Sequence, residues 1–422
     1  MKSHFPIFGR QKELVYLDSA ATSLKPESVL SAEREYEESY SANIGRGLYP
    51  LAERATLAFE TSRKKVATFI KASPDEIIFT SGTTGSINLA AQLLSSSIET
   101  GDNIVVTELE HHSNFLPWKE LARAKHVELR IAPFISEGLI DMEAFEKLID
   151  VHTAIVAFSA ISNVFGGINP VADIVRTAKE KNPKAFTIVD AAQAVGHIPI
   201  DVREWDADFI AFSGHKAYGP TGIGVLYGKK EILEQLTPVT FGGGMVVDVY
   251  PTPPLAGRAC ASIYREIPYR FEAGTPNISG AIGLGAAIDF MSDIGLEKIR
   301  EHDIRITTTV RKQLEDAFGK SIHILGPNDE TRRSALISFT LDGIHPHDLA
   351  ELLGEKNICI RAGEHCASPL HRALDLPATA RVSFGIYTTE EDIDRLTEGM
   401  KDILYLFKNT EQKTQKPNKA QS

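Results

Sequence analysis

The sequence predicts an α/β protein: a large domain with a mainly parallel sheet sandwiched by helices, joined to a smaller α+β domain. Three observations predict it. From about residue 53 to about residue 300, short apolar runs alternate with helix-length segments, an order that lays strands side by side with crossover helices on both faces. The runs are apolar nearly throughout, as strands covered on both faces must be. Beyond about residue 300 the rhythm changes, which sets off a second unit.

Taken in order, Glu76-Ile77-Ile78-Phe79-Thr80, Asn103-Ile104-Val105-Val106-Thr107, the run 153–158 and Phe186-Thr187-Ile188-Val189-Asp190 read as strands, and Phe209-Ile210-Ala211-Phe212 as a fifth. Helices are expected over 84–96 and 170–181, the latter with Pro170 at its first position, where a missing N–H costs nothing. Segment 245–268 holds Pro251, Pro253 and Pro254 without a clear period and is expected to be an irregular excursion. A helical stretch near 280–318 leads into the smaller unit. There a strand over 335–340, a helix near 346–354, the strand Asn357-Ile358-Cys359-Ile360-Arg361 and a helix near 390–407 are expected. The polar tail from Asn409 to Ser422 is expected to be disordered. The division is thus 20–295 for the large domain, 1–19 with 296–408 for the small one, and 409–422 for the tail.

At 422 residues the chain has room for two cores, and 43% hydrophobic with 24% charged residues is the balance of an ordinary soluble globular protein. A net charge of −11 argues against nucleic acid or an anionic membrane as the main partner. No apolar stretch reaches the roughly 20 residues of a membrane span. Met1-Lys2-Ser3-His4-Phe5-Pro6 lacks the features of a secretory signal. Cys260, Cys359 and Cys366 are too few for a disulfide scaffold, so a cytoplasmic location is expected.

Active sites of doubly wound sheets gather at the carboxyl ends of the strands, and the polar oddities of this sequence fall there. Thr83 and Thr84 follow the first run, His111 the second and Asn163 the third. Asp190 and Gln193 follow the fourth, and Ser213, His215 and Lys216 the fifth, in the glycine-rich string Ser213-Gly214-His215-Lys216-Ala217-Tyr218-Gly219-Pro220. A lysine, a histidine and a serine hydroxyl delivered there are the chemistry needed to hold an aldehyde cofactor covalently and to bind its phosphate. Each has a plainer reading: Lys216 as a loop lysine, Asp190 as a helix cap, Gly82-Thr83-Thr84 as any helix start, Cys366 as inert. His111 and His112 are candidate metal ligands, but no second cluster with zinc spacing accompanies them, so no metal is expected. Gly-x-Gly-x-x-Gly is absent after the first strand, where the string is Ser81-Gly82-Thr83-Thr84-Gly85, which removes a nucleotide-binding oxidoreductase. No Gly-x-Ser-x-Gly elbow marks a serine hydrolase.

Together with Leu17-Asp18-Ser19-Ala20-Ala21, Glu110-His111-His112-Ser113-Asn114, Arg270-Phe271-Glu272-Ala273-Gly274-Thr275-Pro276-Asn277 and Arg361-Ala362-Gly363-Glu364-His365-Cys366-Ala367, these strings resemble the fold type I enzymes dependent on pyridoxal 5'-phosphate. The likeness is to the class V aminotransferase branch, and within it to the cysteine desulfurases, a kind that also includes selenocysteine lyases. It covers about residues 14 to 405. The resemblance implies Lys216 as the lysine that holds the cofactor, Asp190 as partner of its pyridine nitrogen, His111 stacked on the ring and Gln193 at the phenolic oxygen. Thr84, Ser213 and His215 would bind the phosphate, with Thr275 reaching across from the second subunit of a homodimer. Asn163 and Arg381 would hold the substrate carboxylate, a role for which arginine is suited. Cys366 would take sulfur from L-cysteine as a persulfide, leaving alanine, and pass it to an acceptor or scaffold protein for sulfur mobilisation or iron–sulfur cluster assembly.

Departures bear on the substrate rather than the cofactor. Gly45 stands where a histidine is common, Gly85 where a glutamate follows the two threonines, and Glu364 in place of the first histidine of Gly-His-His-Cys. Thr388-Thr389 replaces asparagine-threonine. Cysteine, selenocysteine and cysteine sulfinate stay open as substrates; a selenocysteine lyase or another lyase or aminotransferase of the same fold is the alternative, and a non-catalytic binding protein is the alternative of a different class. Around Cys366, Glu364 sets a negative charge against the positive ones expected of Arg361 and His365, and a thiol reactive mainly once substrate is bound is expected.

Overall fold

The computed structural model describes residues 1–249 and 262–414. Its largest sheet has seven strands, in the order Ile77–Thr80, Gly224–Gly228, Phe209–Ser213, Phe186–Asp190, Thr153–Ser159, Asn103–Thr107, Glu128–Ala132. Only Gly224–Gly228 runs against its neighbours; the other six point one way and deliver their carboxyl ends to one edge.

Both faces of this sheet are buried because successive side chains of a strand point to opposite faces. Val105, Val156, Val189, Ile210 and Phe212 join one core, with Phe59, Ile174, Val175 and Ile288 from the helices Pro50–Phe69, Val171–Lys181 and Ile278–Ile294. Ile104, Val106, Ile155, Ile188 and Ala211 join the other, with Ile87 and Leu94 of Thr83–Leu94 and Phe115 and Trp118 of His112–Lys125. The uninterrupted apolar runs of the sequence are the signature of this double burial.

A second, antiparallel sheet has the order Ile322–Ile324, Leu336–Leu341, Thr379–Ser383, Arg361–Gly363. Its core unites Ile337, Phe339 and Val382 with Ile306, Val310 and Leu314 of the helix Leu296–Phe318 and Ile393, Leu396 and Met400 of the helix Glu390–Thr414. The chain start reaches this sheet's neighbourhood: Val15–Tyr16 pairs in parallel with Ile358–Cys359, and Asp18 bridges to Ser383. No single helix among the described residues is long and apolar enough to cross a membrane.

Several elements differ from the sequence reading. The expected strand Asn357 to Arg361 is two short strands, Ile358–Cys359 and Arg361–Gly363, in different sheets. The helical stretch near 280–318 breaks at Gly295, whose φ of +89° is a conformation glycine adopts without steric cost. Pro170 is the N-cap of Val171–Lys181 rather than its first residue. Within 245–268, Val246–Val249 and Ser262–Tyr264 pair antiparallel, so the excursion contains a ribbon; Pro251, Pro253, Pro254 and Cys260 lie outside the described residues. The tail expected to be disordered from Asn409 instead continues the last helix to Thr414, since extending an existing helix avoids the cost of a nucleus. Residues 415–422 lie outside the described residues.

Candidate active site

The strand ends open on one cavity lined by Thr84, His111, Asn163, Asp190, Gln193, Ser213, His215 and Lys216 from the large sheet side. Arg361, Cys366 and Arg381 close it from the second sheet. Of the eleven residues expected from the sequence, Thr275 alone is absent from its walls. It is exposed in a separate cleft with Arg46, Glu60 and Tyr269.

At one end the cavity is a cup of hydroxyls and backbone N–H groups. Ser213 Oγ accepts the Thr83 N–H at 2.7 Å and lies 2.7 Å from Thr83 Oγ1. Thr84 Oγ1 lies 2.7 Å from Ser113 Oγ. The start of Thr83–Leu94 borders the same space, and the first turn of a helix offers N–H groups without intrahelical partners. The cup depends on close backbone approach: a Cβ on Gly224 would fall 2.4 Å from Gly82 Cα. Burial, then the charges of Lys216 and Lys25, pushes His215 down to about 4, so it is neutral at physiological pH. Donors without a carboxylate, at a helix N-terminus, fit a phosphate.

In the middle of the cavity, the amine of Lys216 makes no hydrogen bond or ion pair with any described residue. Burial holds its pKa down to about 8, against the pull of Asp190. Asp190 is buried at the end of Phe186–Asp190, and the one hydrogen bond to its carboxylate among the described residues is from the Ala192 N–H to Oδ1 at 2.9 Å. Burial raises its pKa, while the Ala192 N–H and the Lys216 charge lower it. Gln193 Nε2 donates to the Ala20 carbonyl at 3.0 Å.

His111 caps the helix His112–Lys125, and its Nδ1 accepts the Ser113 N–H at 3.1 Å. A backbone N–H can only donate, so Nδ1 carries the lone pair and the ring proton sits on Nε2. Burial first, then Lys216 and neighbouring cations, push this histidine down to about 3. It is a neutral, flat ring. A free buried amine, a buried carboxylate with an oxygen to spare, a neutral imidazole and a phosphate cup together fit pyridoxal phosphate. Among the described residues no group of three or more His, Cys, Asp or Glu is arranged to hold a metal ion.

The third end is basic. Arg381 is buried; its Nη1 donates to the Asn163 carbonyl at 2.9 Å, Nη2 lies 3.3 Å from Asp18 Oδ1, and Nε has no partner among the described residues. Burial lowers its pKa to about 10, with Asp18 opposing. Arg361 stands directly opposite Arg381 in the antiparallel register, a like-charge pair that Asp18 offsets. Arg361 Nη2 approaches Cys366 Sγ at 3.9 Å. Two cations on one wall suit an anionic substrate group.

One electrostatic expectation is corrected. His365 is not a cation beside Cys366: it is 4% exposed, its Nε2 meets Thr379 Oγ1 at 2.9 Å, and burial, then Arg381, pushes it down to about 2. Arg361, Ser113 and Asp18 were not singled out as site residues from the sequence. For Arg361 the signal was present, as it opens the string that ends at Cys366.

The class-V aminotransferase family pattern matches residues 15–396. The chain belongs to that family. A probable cysteine desulfurase of Halalkalibacterium halodurans is 45% identical over 96% of this chain and 98% of its own length. A cysteine desulfurase of Pectobacterium carotovorum is 39% identical over 96% of this chain and 97% of its own. The apo structure of a cysteine desulfurase from Thermococcus onnurineus superposes with a TM-score of 0.90 at 38% identity, covering 96% of this chain and 97% of that one. A crystal structure of an Escherichia coli cysteine desulfurase in an S-sulfonic acid form gives 0.86 at 36% identity, covering 96% and 98%.

Proposed function

We propose that this protein is a cysteine desulfurase dependent on pyridoxal phosphate, converting L-cysteine to L-alanine and leaving the sulfur on Cys366 as a persulfide. The observation that carries the reading is the thiol itself: Cys366 lines the same cavity as Lys216 and Asp190 and lies beside Arg361. Without a thiol there, the remaining groups would serve many reactions of the family.

Lys216 would hold the cofactor, Asp190 its ring nitrogen, Gln193 its phenolic oxygen and His111 its face. Thr84, Ser213 and His215 would hold the phosphate. When bound, pyridoxal phosphate supplies the electron sink that lets the Cβ–Sγ bond of cysteine break heterolytically. Asn163 and Arg381 bind and orient the substrate carboxylate. Lys216, with a pKa of about 8, moves protons as an amine that is readily neutral. Cys366 attacks the substrate Sγ as a thiolate; the new S–S bond forms as Cβ–Sγ breaks, and a proton returned to Cβ completes alanine.

The reading extends to a homodimer in which Thr275 of each chain serves the other's phosphate cup, to a cytoplasmic enzyme, and to an acceptor protein that takes the sulfur onward for sulfur mobilisation or iron–sulfur cluster assembly. The exposure of Thr275 away from its own cavity supports the shared site. Domains of 20–295 and of 1–19 with 296–408 would meet at the cavity.

The test is incubation with L-cysteine, followed by alanine assay and peptide mass analysis of the persulfide. Sulfur on Cys366, with turnover abolished in Cys366→Ala and retained in Cys359→Ala, supports the reading. Alanine formed at the normal rate by Cys366→Ala would overturn it.

A further inference from the structure

The backbone around Cys366 is held in an unfavourable conformation. His365 and Cys366 have φ of +51° and +58°, the left-handed region that residues with a Cβ seldom occupy. Such geometry persists only where the surroundings over-determine it. On one side Asn163 Nδ2 donates to the His365 carbonyl at 2.7 Å and His365 Nε2 meets Thr379 Oγ1. The other side is held differently.

There the His112 N–H donates to the Cys366 carbonyl at 2.8 Å. The His112 ring returns to the same loop, with Nε2 accepting the Ser368 N–H at 3.2 Å and lying 3.0 Å from Ser368 Oγ. Because the backbone N–H already uses the Nε2 lone pair, the Ser368 hydroxyl proton goes to its other neighbour, Glu364 Oε2, at 2.7 Å. Glu364 is exposed, so its carboxylate does not serve the protein core. It anchors the Ser368 hydroxyl; the Ser368 N–H seats the His112 ring, and the His112 N–H holds Cys366.

We propose that Glu364 is a positioning residue for Cys366, acting through Ser368 and His112 to keep the thiol against the cavity wall. The proposal rests on the reading of Cys366 as the sulfur carrier. The hydrogen bond of Glu364, rather than its charge, does the positioning, because any acceptor oxygen at that place would fix the Ser368 hydroxyl. Without it, Ser368 is free to turn, His112 loses its seat, and the strained pair relaxes toward solvent.

The experiment uses the full-length holoenzyme and three variants, Glu364→Ala, Glu364→Gln and Ser368→Ala. Alkylation of Cys366 by iodoacetamide is followed peptide by peptide, with Cys359 as internal reference, and persulfide formation is followed in a single turnover with L-cysteine. Glu364→Ala and Ser368→Ala are expected to raise Cys366 alkylation and slow persulfide formation by about fivefold each, the scale of one lost hydrogen bond. Glu364→Gln, which keeps the acceptor oxygen, stays within about twofold of the parent. Unchanged alkylation in Glu364→Ala overturns the proposal, and so does a Glu364→Gln as impaired as Glu364→Ala. If the parent forms no persulfide, the functional reading falls, while the alkylation pattern still decides whether the tie positions Cys366.

Discussion

Asn163 donates from Nδ2 to the main-chain carbonyl of His365 at 2.7 Å, while its own carbonyl accepts Arg381 Nη1 at 2.9 Å. One residue thus ties the arginine expected to bind the substrate carboxylate to the turn that carries Cys366. On the proposed roles, substrate binding and sulfur removal would share a single mechanical support.

Asn163→Ala deletes the side-chain bond to the His365 carbonyl and keeps the main-chain carbonyl that accepts from Arg381, so it should loosen the Cys366 turn. We expect kcat to fall, with kcat/KM down by about tenfold, the scale of one hydrogen bond lost at a strained partner. Steady-state alanine formation measures it. A change in KM alone would separate the carboxylate site from the Cys366 turn.

Uptake of pyridoxal phosphate by the apoprotein should depend on pH through Lys216. Attack on an aldehyde needs the neutral amine, and burial brings the pKa of Lys216 down to about 8. The rate should climb as pH rises toward about 8 and flatten above it. Stopped-flow absorbance of the bound cofactor follows this; a climb continuing to about pH 10 would place the amine in an ordinary environment. Lys216→Ala should lack the visible band altogether.

Glu110 carries a pH effect on stability. It is buried and accepts from Thr107, from Ser159 N–H and Oγ, and from Asn114 Nδ2. Burial nonetheless raises its pKa from 4.5 to about 7, with those donors opposing and Asp190 adding to the rise. A raised carboxyl binds more protons folded than unfolded, so its contribution is complete below 4.5 and lost as pH rises through about 7. In urea unfolding, Glu110→Gln should gain on the parent between about pH 5 and about pH 7.5 by about 1–3 kcal/mol. A pH-independent difference would contradict this.

Gly224→Ala should open the phosphate cup. Its Cβ would meet Gly82 Cα at 2.4 Å and the Phe212 carbonyl oxygen at 2.7 Å, both backbone atoms. We expect a loss of about 1–3 kcal/mol in stability and weaker retention of pyridoxal phosphate on dialysis. Unaltered retention would mean the close strand approach does not shape the cup.

The residues at the strand ends were legible because a buried parallel strand is a long apolar run, and its first polar residues mark where the chemistry begins. Lys216, Asp190, His111 and Asn163 all follow this rule. His365 was misread because sequence shows a basic residue but neither its burial nor its closeness to Arg381, which together hold this imidazole neutral. The ribbon of Val246–Val249 and Ser262–Tyr264 escaped notice because Val247, Val249 and Ile263 are exposed, leaving no buried face to impose alternation. The split at Ile360 was equally hidden, since one apolar run can serve two sheets.

Asp18 meets Arg381 across 363 positions of sequence, and Val15–Tyr16 finds its partner strand only at Ile358–Cys359. On a ribosome, then, the first strand emerges long before anything exists for it to pair with. The carboxylate end of the cavity can be completed only when nearly the whole chain has been made. A prematurely terminated product would carry Lys216 and the phosphate cup but neither Cys366 nor Arg381. Such a fragment would lack both the thiol proposed to take the sulfur and the arginine proposed to hold the substrate, so on that reading activity arrives only with the last part of the chain.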